Sequence, residues 1–282
     1  MGGEPWARIV EVTILIGEWL LDRLDRLVAR ASKLGDPPFF TNDDFVWSYG
    51  LEARWTTIRA ELDRVLEHRD QLPSFQDIST DQATITDDDR WKTFFLYGFG
   101  FRSDANCRRC PETARLVARV PGMQTAMFSI LSPGKHIPDH CGPYKGVVRY
   151  HLALQVPEPR ARCRIRVGDE IRHWEEGKSL IFDDTFEHEV WNDTDGVRVV
   201  LFLDVVRPLR FPMNVVNAIV IKAIAWSPFV QDAKRRHLAW EARFAADSGR
   251  GAPRLTRGPA PQLPARRAGD EARRHELDDV RG

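Results

Sequence analysis

The stretch Val147-Val-Arg-Tyr-His-Leu-Ala-Leu-Gln-Val156 alternates with a period of two. On an extended strand Val148, Tyr150, Leu152 and Leu154 share one face, and Arg149 and His151 share the other. The apolar face must pack against something. The face carrying Arg and His is either a polar exterior or the lining of a binding cavity, because burying such groups without partners is costly. Similar short β-branched and aromatic runs surround this one, at residues 125–131, 162–167, 170–174, 179–182, 187–192 and 197–205. Gly, Pro, Asp and Asn turns separate them. Many short strands at close spacing predict a sandwich or jelly roll rather than a βαβ fold.

Working outward, four zones emerge. Residues 1–75 read as a helical region, with residues 51–68 amphipathic and Pro37-Pro38 breaking the chain before them. Residues 76–210 hold the strands. Residues 211–245 form a further helical segment, and residues 246–282 are rich in Arg, Pro and Gly with almost no large apolar side chains, the composition of a disordered tail. From Trp6 to Val28 the residues Ile9, Val12, Ile16, Leu20, Leu24 and Leu27 recur at helical steps. Such an amphipathic helix packs on the domain, or alternatively makes a peripheral membrane contact.

The charges exclude some classes. Lys plus Arg equals Asp plus Glu at 41 each, so the formal net charge is zero and no nucleic-acid partner is expected. Glu4 and Glu11 interrupt any signal-peptide pattern. Four cysteines in 282 residues are too few for a disulfide scaffold, so a cytoplasmic chain with reduced thiols is expected, with membrane association through the N-terminal helix as the variant of that reading. Cys107-Arg-Arg-Cys110 has no second pair at zinc-finger spacing and is a weak zinc or redox signal.

The chemistry concentrates at His140-Cys-Gly-Pro143, at His188 forty-eight residues later, and at Arg198 ten beyond that. Non-haem iron oxygenases hold Fe(II) with two histidines and usually a carboxylate, leaving positions open for co-substrate and O2. A 2-oxoglutarate co-substrate needs a fixed cation for its distal carboxylate, and the planar guanidinium of an arginine such as Arg198 suits it. Singly, each residue has an ordinary structural explanation; in this order across a jelly roll they form a site. His136 either lines the site entrance or is a loop histidine. Trp174 and Trp191 read as core or rim aromatics, and Asp183 and Asp184 either support His188 or make a turn.

The ordered runs His140-Cys-Gly-Pro, Arg149-Tyr-His151-Leu, Trp174-Glu-Glu-Gly177, Ile181-Phe-Asp-Asp-Thr-Phe-Glu-His188-Glu-Val-Trp-Asn192 and Arg198 to Asp204 resemble the aspartyl/asparaginyl β-hydroxylase family over about residues 90–210. The resemblance implies a double-stranded β-helix core with flanking N- and C-terminal helices, and a dioxygenase coupling hydroxylation of an unactivated C–H bond to conversion of 2-oxoglutarate into succinate and CO2. It implies His140 and His188 as iron ligands, Arg198 on the 2-oxoglutarate carboxylate with Ser129 and His151 assisting, and Arg149 on a substrate carboxylate. Gly142 stands where most iron oxygenases carry an acidic third ligand. The aspartyl branch shares that glycine, which implies a two-histidine site completed by water and an aspartyl, asparaginyl or related amino-acid or peptide substrate. The runs Arg90-Trp-Lys92, Cys110-Pro-Glu-Thr113, Tyr150-His-Leu152 and Arg207-Pro-Leu-Arg-Phe211 are also similar to bacterial hydroxylases of lipid A or ornithine-lipid acyl chains, a branch that keeps an acidic residue where Gly142 stands. Two rivals stand beside these: a non-catalytic jelly-roll metal-binding module, and a zinc hydrolase built on His140, His151 and His188.

Overall fold

The computed structural model describes residues 21–79 and 85–251, with side chains through Phe244. Most of the amphipathic N-terminal stretch and the tail from residue 252 lie outside the described residues; residues 21–31 are helical. The chain divides into two compact units, residues 1–244 and 245–282, and the strands and the site all belong to the first.

In chain order the elements are α1 (residues 21–31), β1 (Phe39–Phe40), α2 (Ser48–Glu52), α3 (Trp55–Leu66), α4 (Phe75–Ile78), β2 (Trp91–Gly98), β3 (Phe101–Arg102), α5 (Asp104–Arg109) and α6 (Pro111–Val117). Then come β4 (Met123–Leu131), β5 (Lys135–His140), β6 (Val147–Gln155), β7 (Cys163–Val167), β8 (Glu170–His173), β9 (Ser179–Phe182), β10 (His188–Asn192) and β11 (Arg198–Val206), followed by α7 (Met213–Trp226) and α8 (Pro228–Gly251). Among the described residues the strands form two antiparallel sheets. The larger runs β1-β9-β6-β11-β4-β2-β3 and the smaller β5-β10-β7-β8. The expected jelly roll is therefore present, and the crossing of non-consecutive strands is its signature. Every strand expected from the pattern is found within one or two residues of its place.

β6 and β11 lie at the centre of the larger sheet, and their period-two alternation sorts two cores. Outward-facing Val148, Tyr150, Leu152 and Leu154 join Val199, Leu201, Leu203 and Val205 in a core that also takes Ile58, Leu62 and Val65 from α3. Inward-facing Ala153, Val200 and Phe202 pack with Ile137, Ile165, Val167, Trp174, Phe182 and Val190 between the sheets. The helical layer is tied to its neighbours by one buried carboxylate: Glu61 of α3 accepts from the backbone N–H groups of Glu112 and Thr113 at 3.0 and 2.8 Å. These are donors that the first turn of α6, begun by Pro111, leaves without helical partners.

Candidate active site

β10 and β5 pair so that His188 faces His140. Their register shifts between His188 and Val190, one extra residue being absorbed in β5, which is where Pro138 is tolerated inside a strand. The two imidazoles sit with ring centroids 4.1 Å apart. His140 Nδ1 lies 2.8 Å from the Pro138 carbonyl oxygen and His188 Nδ1 lies 3.0 Å from that of Phe186. A neutral ring that donates from Nδ1 keeps its lone pair on Nε2 for the cavity. Burial lowers the pKa of both histidines, His188 to about 3, so both are neutral donors at ordinary pH.

Across the cavity β11 supplies Arg198, 1% exposed. Its guanidinium stacks 4.5 Å over the Trp174 ring, yet its Nε and Nη1 have no hydrogen-bond partner. Burial brings its pKa down to about 10, which leaves it charged at neutral pH. On the neighbouring strand β6, His151 is buried with both ring nitrogens unpartnered, and burial first, then the charge of Arg198, hold its pKa well below the usual value. Ser129 of β4 accepts from the Trp91 indole at 3.1 Å, which fixes the hydroxyl beside them. A buried cation with unfilled donors is expensive unless something anionic meets it.

These groups share one pocket of about 350 Å³, lined among others by His140, His188, His151, Arg149, Arg198 and Ser129. All six residues singled out from the sequence come together there. Arg149 is held by Asp184 at 2.8 Å and by Asp204 at 3.1 Å, and lies 4.5 Å over Phe202. Burial opposes its charge, but the two carboxylates outweigh it and raise its pKa. Asp184 is pushed up to about 6 by burial, against the pull of Arg149. A Cβ on Gly142 would come within 2.2 Å of Asp184 Oδ2. The space an acidic third ligand would start from is thus occupied by the carboxylate of a distant turn. The sequence offers Asp184 only as a helper of His188 or a turn residue; a side chain brought against Gly142 by folding leaves no local signal.

A model of the aspartyl/asparaginyl beta-hydroxylase family matches residues 52–208, more than half of the chain. The chain belongs to the aspartyl/asparaginyl β-hydroxylase family. It is 49% identical over 224 residues to an ornithine lipid ester-linked acyl 2-hydroxylase of Rhizobium tropici, covering 79% of this chain and 80% of that protein. It is 35% identical over 169 residues to the Homo sapiens aspartyl/asparaginyl beta-hydroxylase, covering 58% of this chain but only 21% of that protein. Among solved structures, a Pseudomonas putida prolyl-4-hydroxylase aligns over 55% of this chain and 88% of its own with 17% identity and a TM-score of 0.36.

Of the remaining sequence candidates, only Trp174 touches the pocket residues, through its stacking on Arg198. Cys107 and Cys110 are buried free thiols, and burial pushes Cys110 up to about 12, the environment of an inert packing residue. His136 is in β5, not in the pocket; it pairs with Glu189 at 2.6 Å and stacks on Trp191. Trp174 is core and Trp191 lies under Arg164. Asp183 pairs with Lys145 and Arg207, and Cys141 is exposed. Among the described residues no three His, Cys, Asp or Glu side chains gather as a metal-binding cluster, so His140, His151 and His188 do not make a three-histidine zinc site.

Proposed function

We propose that this hydroxylase uses Fe(II) and 2-oxoglutarate to hydroxylate a methylene next to a carbonyl carbon, with a lipid acyl chain as its substrate. The observation that carries the cofactor reading is the buried Arg198 guanidinium with two unpartnered nitrogens, across one pocket from two neutral imidazoles. The residues fit the group. His140 and His188 would hold iron through Nε2, and Arg198 with His151 and Ser129 would take the distal carboxylate of 2-oxoglutarate. The bound iron, with 2-oxoglutarate and O2, supplies the oxidising power that no side chain has. The protein's part is to place and to exclude. Arg198 fixes one end of the co-substrate by charge-assisted hydrogen bonds. Trp174, Phe182 and Phe202 keep water from the cavity floor. Arg149, steadied by Asp184 and Asp204, presents N–H groups to the polar end of the substrate.

The substrate reading is supported by the 49% identity shared with an ornithine lipid acyl 2-hydroxylase over four-fifths of both chains. Carbon 2 of an acyl chain and the β-carbon of an aspartyl residue are both methylenes bonded to a carbonyl carbon, so one geometry serves either. The second reading, an aspartyl or asparaginyl side chain, is favoured by Gly142. It ranks below the first because Arg149 is already met by two carboxylates, which offsets the charge that would attract a third.

Anaerobic titration with Fe(II) and 2-oxoglutarate tests the cofactor reading. A visible charge-transfer band is expected in the wild type and is expected to vanish in His188→Ala. Succinate release stimulated by an ester-linked acyl lipid, but not by an aspartyl peptide, tests the substrate. A folded protein giving no band sinks the first; stimulation by peptide alone sinks the second.

A further inference from the structure

Helix α7 reads Met213-Asn-Val-Val-Asn-Ala-Ile-Val-Ile-Lys-Ala-Ile-Ala-Trp226 and is mostly apolar, its polar residues being Asn214, Asn217 and Lys222. Its inward stripe is accounted for. Met213, Val220, Ile221 and Ile224 pack with Leu24 and Val28 of α1 and with Tyr144, and Asn217 is fully buried. The opposite stripe is exposed, with Val215 at 49%, Ile219 at 63% and Trp226 at 84%, flanked by Phe211 at 81% and Phe229 at 39%. Large apolar patches on a soluble surface mark an interaction.

The charges around the stripe say which kind. Between Asp204 and Asp232 the chain holds no acidic residue, while Arg210 and Lys222 are exposed. Backbone bonds from Lys33 N–H to the Pro208 carbonyl and from Arg210 N–H to the Ala31 carbonyl bring the C-terminal end of α1 alongside, with exposed Arg30 and Lys33. Of the acidic groups on α1, Asp22 pairs with Arg26, and Asp25 accepts the Lys145 backbone N–H. An exposed apolar stripe that ends in an aromatic and carries Lys222 between Ile219 and Trp226, with further cations beside it, is the pattern of a helix lying in a membrane interface, where the lysine stem lies along apolar surface and its charge reaches the headgroups. No single described helix is long and apolar enough to cross a membrane, although α7 and the part of α8 through Phe244, bent by 50° at the break, pass together by length and composition.

We propose that α7 seats the protein on an anionic lipid surface, with the exposed stripe in the headgroup–acyl boundary and Arg30, Lys33, Arg210 and Lys222 on lipid phosphates. The same helix is fastened to the active site. Asn217 accepts from the Tyr144 hydroxyl at 2.7 Å and donates to the Gly146 carbonyl at 2.9 Å. Gly146 is so closely covered that a Cβ there would meet Asn217 Oδ1 at 2.1 Å. Tyr144 and Gly146 lie in the loop between ligand candidate His140 and β6, so the seated helix holds that loop near the bilayer from which an acyl chain would come. A membrane seat deepens the lipid-substrate reading and rests on it.

The test is co-sedimentation of the full chain with phosphatidylcholine vesicles, with and without phosphatidylglycerol, beside the variants Ile219→Glu/Trp226→Glu and Arg210→Glu/Lys222→Glu. Binding is expected only with phosphatidylglycerol, at least about tenfold weaker in the first variant because burial of two large apolar side chains is replaced by burial of charge. In the second variant, with two of the four cations reversed, binding to phosphatidylglycerol vesicles at low salt is expected to fall at least about tenfold, since each basic residue near an anionic surface contributes about 1 kcal/mol. Wild-type binding by the first variant, with its Tm unchanged, overturns the proposal. So does a concentration-dependent dimer, broken by that variant, in a protein that ignores vesicles. The iron and 2-oxoglutarate band should be the same in every variant; its absence from wild type would count against the cofactor reading alone, whatever the vesicles show.

Discussion

The two faces of strands β6 and β11 are built to opposite rules. Outward, Val148, Tyr150, Leu152, Leu154, Val199, Leu201 and Leu203 are all 0% exposed beneath the helices, and only the Tyr150 hydroxyl among their side chains needs a polar partner, which Ser179 supplies at 3.0 Å. Inward, the same strands carry Arg149, His151, Arg198 and Asp204, and several of their polar atoms are buried without partners. The outward face lowers the energy of the fold. The inward face raises it, storing in Arg198 and His151 a desolvation cost that a bound carboxylate would offset.

That contrast predicts opposite results for neighbouring substitutions. Arg198→Met should produce the largest change: binding of 2-oxoglutarate weakened about a hundredfold or more, since charged hydrogen bonds are worth roughly 1.5–3 kcal/mol each. Urea unfolding of the same variant should show stability equal to or above wild type, because a buried unpaired charge has gone. Leu201→Ala should do the reverse, costing about 2–5 kcal/mol of stability with co-substrate affinity unchanged in the folded fraction. An Arg198→Met protein that unfolds more easily, or a Leu201→Ala protein that loses co-substrate affinity, would break the contrast.

The alternation that separates these faces is legible at Val147–Val156, because a half-buried strand must write its two environments into successive residues. The partners of His140 are harder to see. β5 runs Lys135-His-Ile-Pro-Asp-His140, and Pro138 argues against a strand until the bulge opposite His188 is known. β2, Trp91–Gly98, is absent from the strands expected from pattern, although five of its eight residues are aromatic or β-branched. Its apolar residues run together without the alternation that marks a half-buried strand, since both of its faces are covered. Asp184 against Gly142 cannot be read at all, since forty-two residues separate them and only pairing of β6 with β9 brings that turn home. Local pattern reveals which face a residue takes. Which other residue it meets there is decided by register.

Gly142 sharpens the inward rule at intermediate size. Gly142→Asp restores in sequence the carboxylate common to other iron oxygenases, but its Cβ alone would fall 2.2 Å from Asp184 Oδ2. Asp184 must then leave Arg149, and overpacking of this kind costs about 1–3 kcal/mol. The variant should therefore be less stable and slower in succinate formation, and Gly142→Asp/Asp184→Gly should recover part of the stability. A single variant as stable as wild type would show that the site has room for a third ligand.

The smallest effect concerns two buried histidines that the same rule treats differently. His151 and His237 both lack hydrogen bonds at their ring nitrogens. His151 faces the pocket, where a carboxylate held by Arg198 would meet it. His237 lies on α8 among Phe95, Phe101 and Trp240, away from the pocket, and burial lowers its pKa with Glu241 pulling weakly the other way. As pH falls below the ordinary histidine value of about 6.5, the unfolded chain takes up this proton before the folded one does. Its contribution is complete above that value and is lost as pH drops through the lowered folded pKa. His237→Phe should flatten the fall of Tm between neutral and mildly acid pH while leaving 2-oxoglutarate affinity alone. If the acid slope is unchanged, His237 is not charged on unfolding in that range. If affinity moves as well, the helical layer and the pocket are coupled, and the division of the strands into a stabilising face and a working face is less complete than their burial indicates.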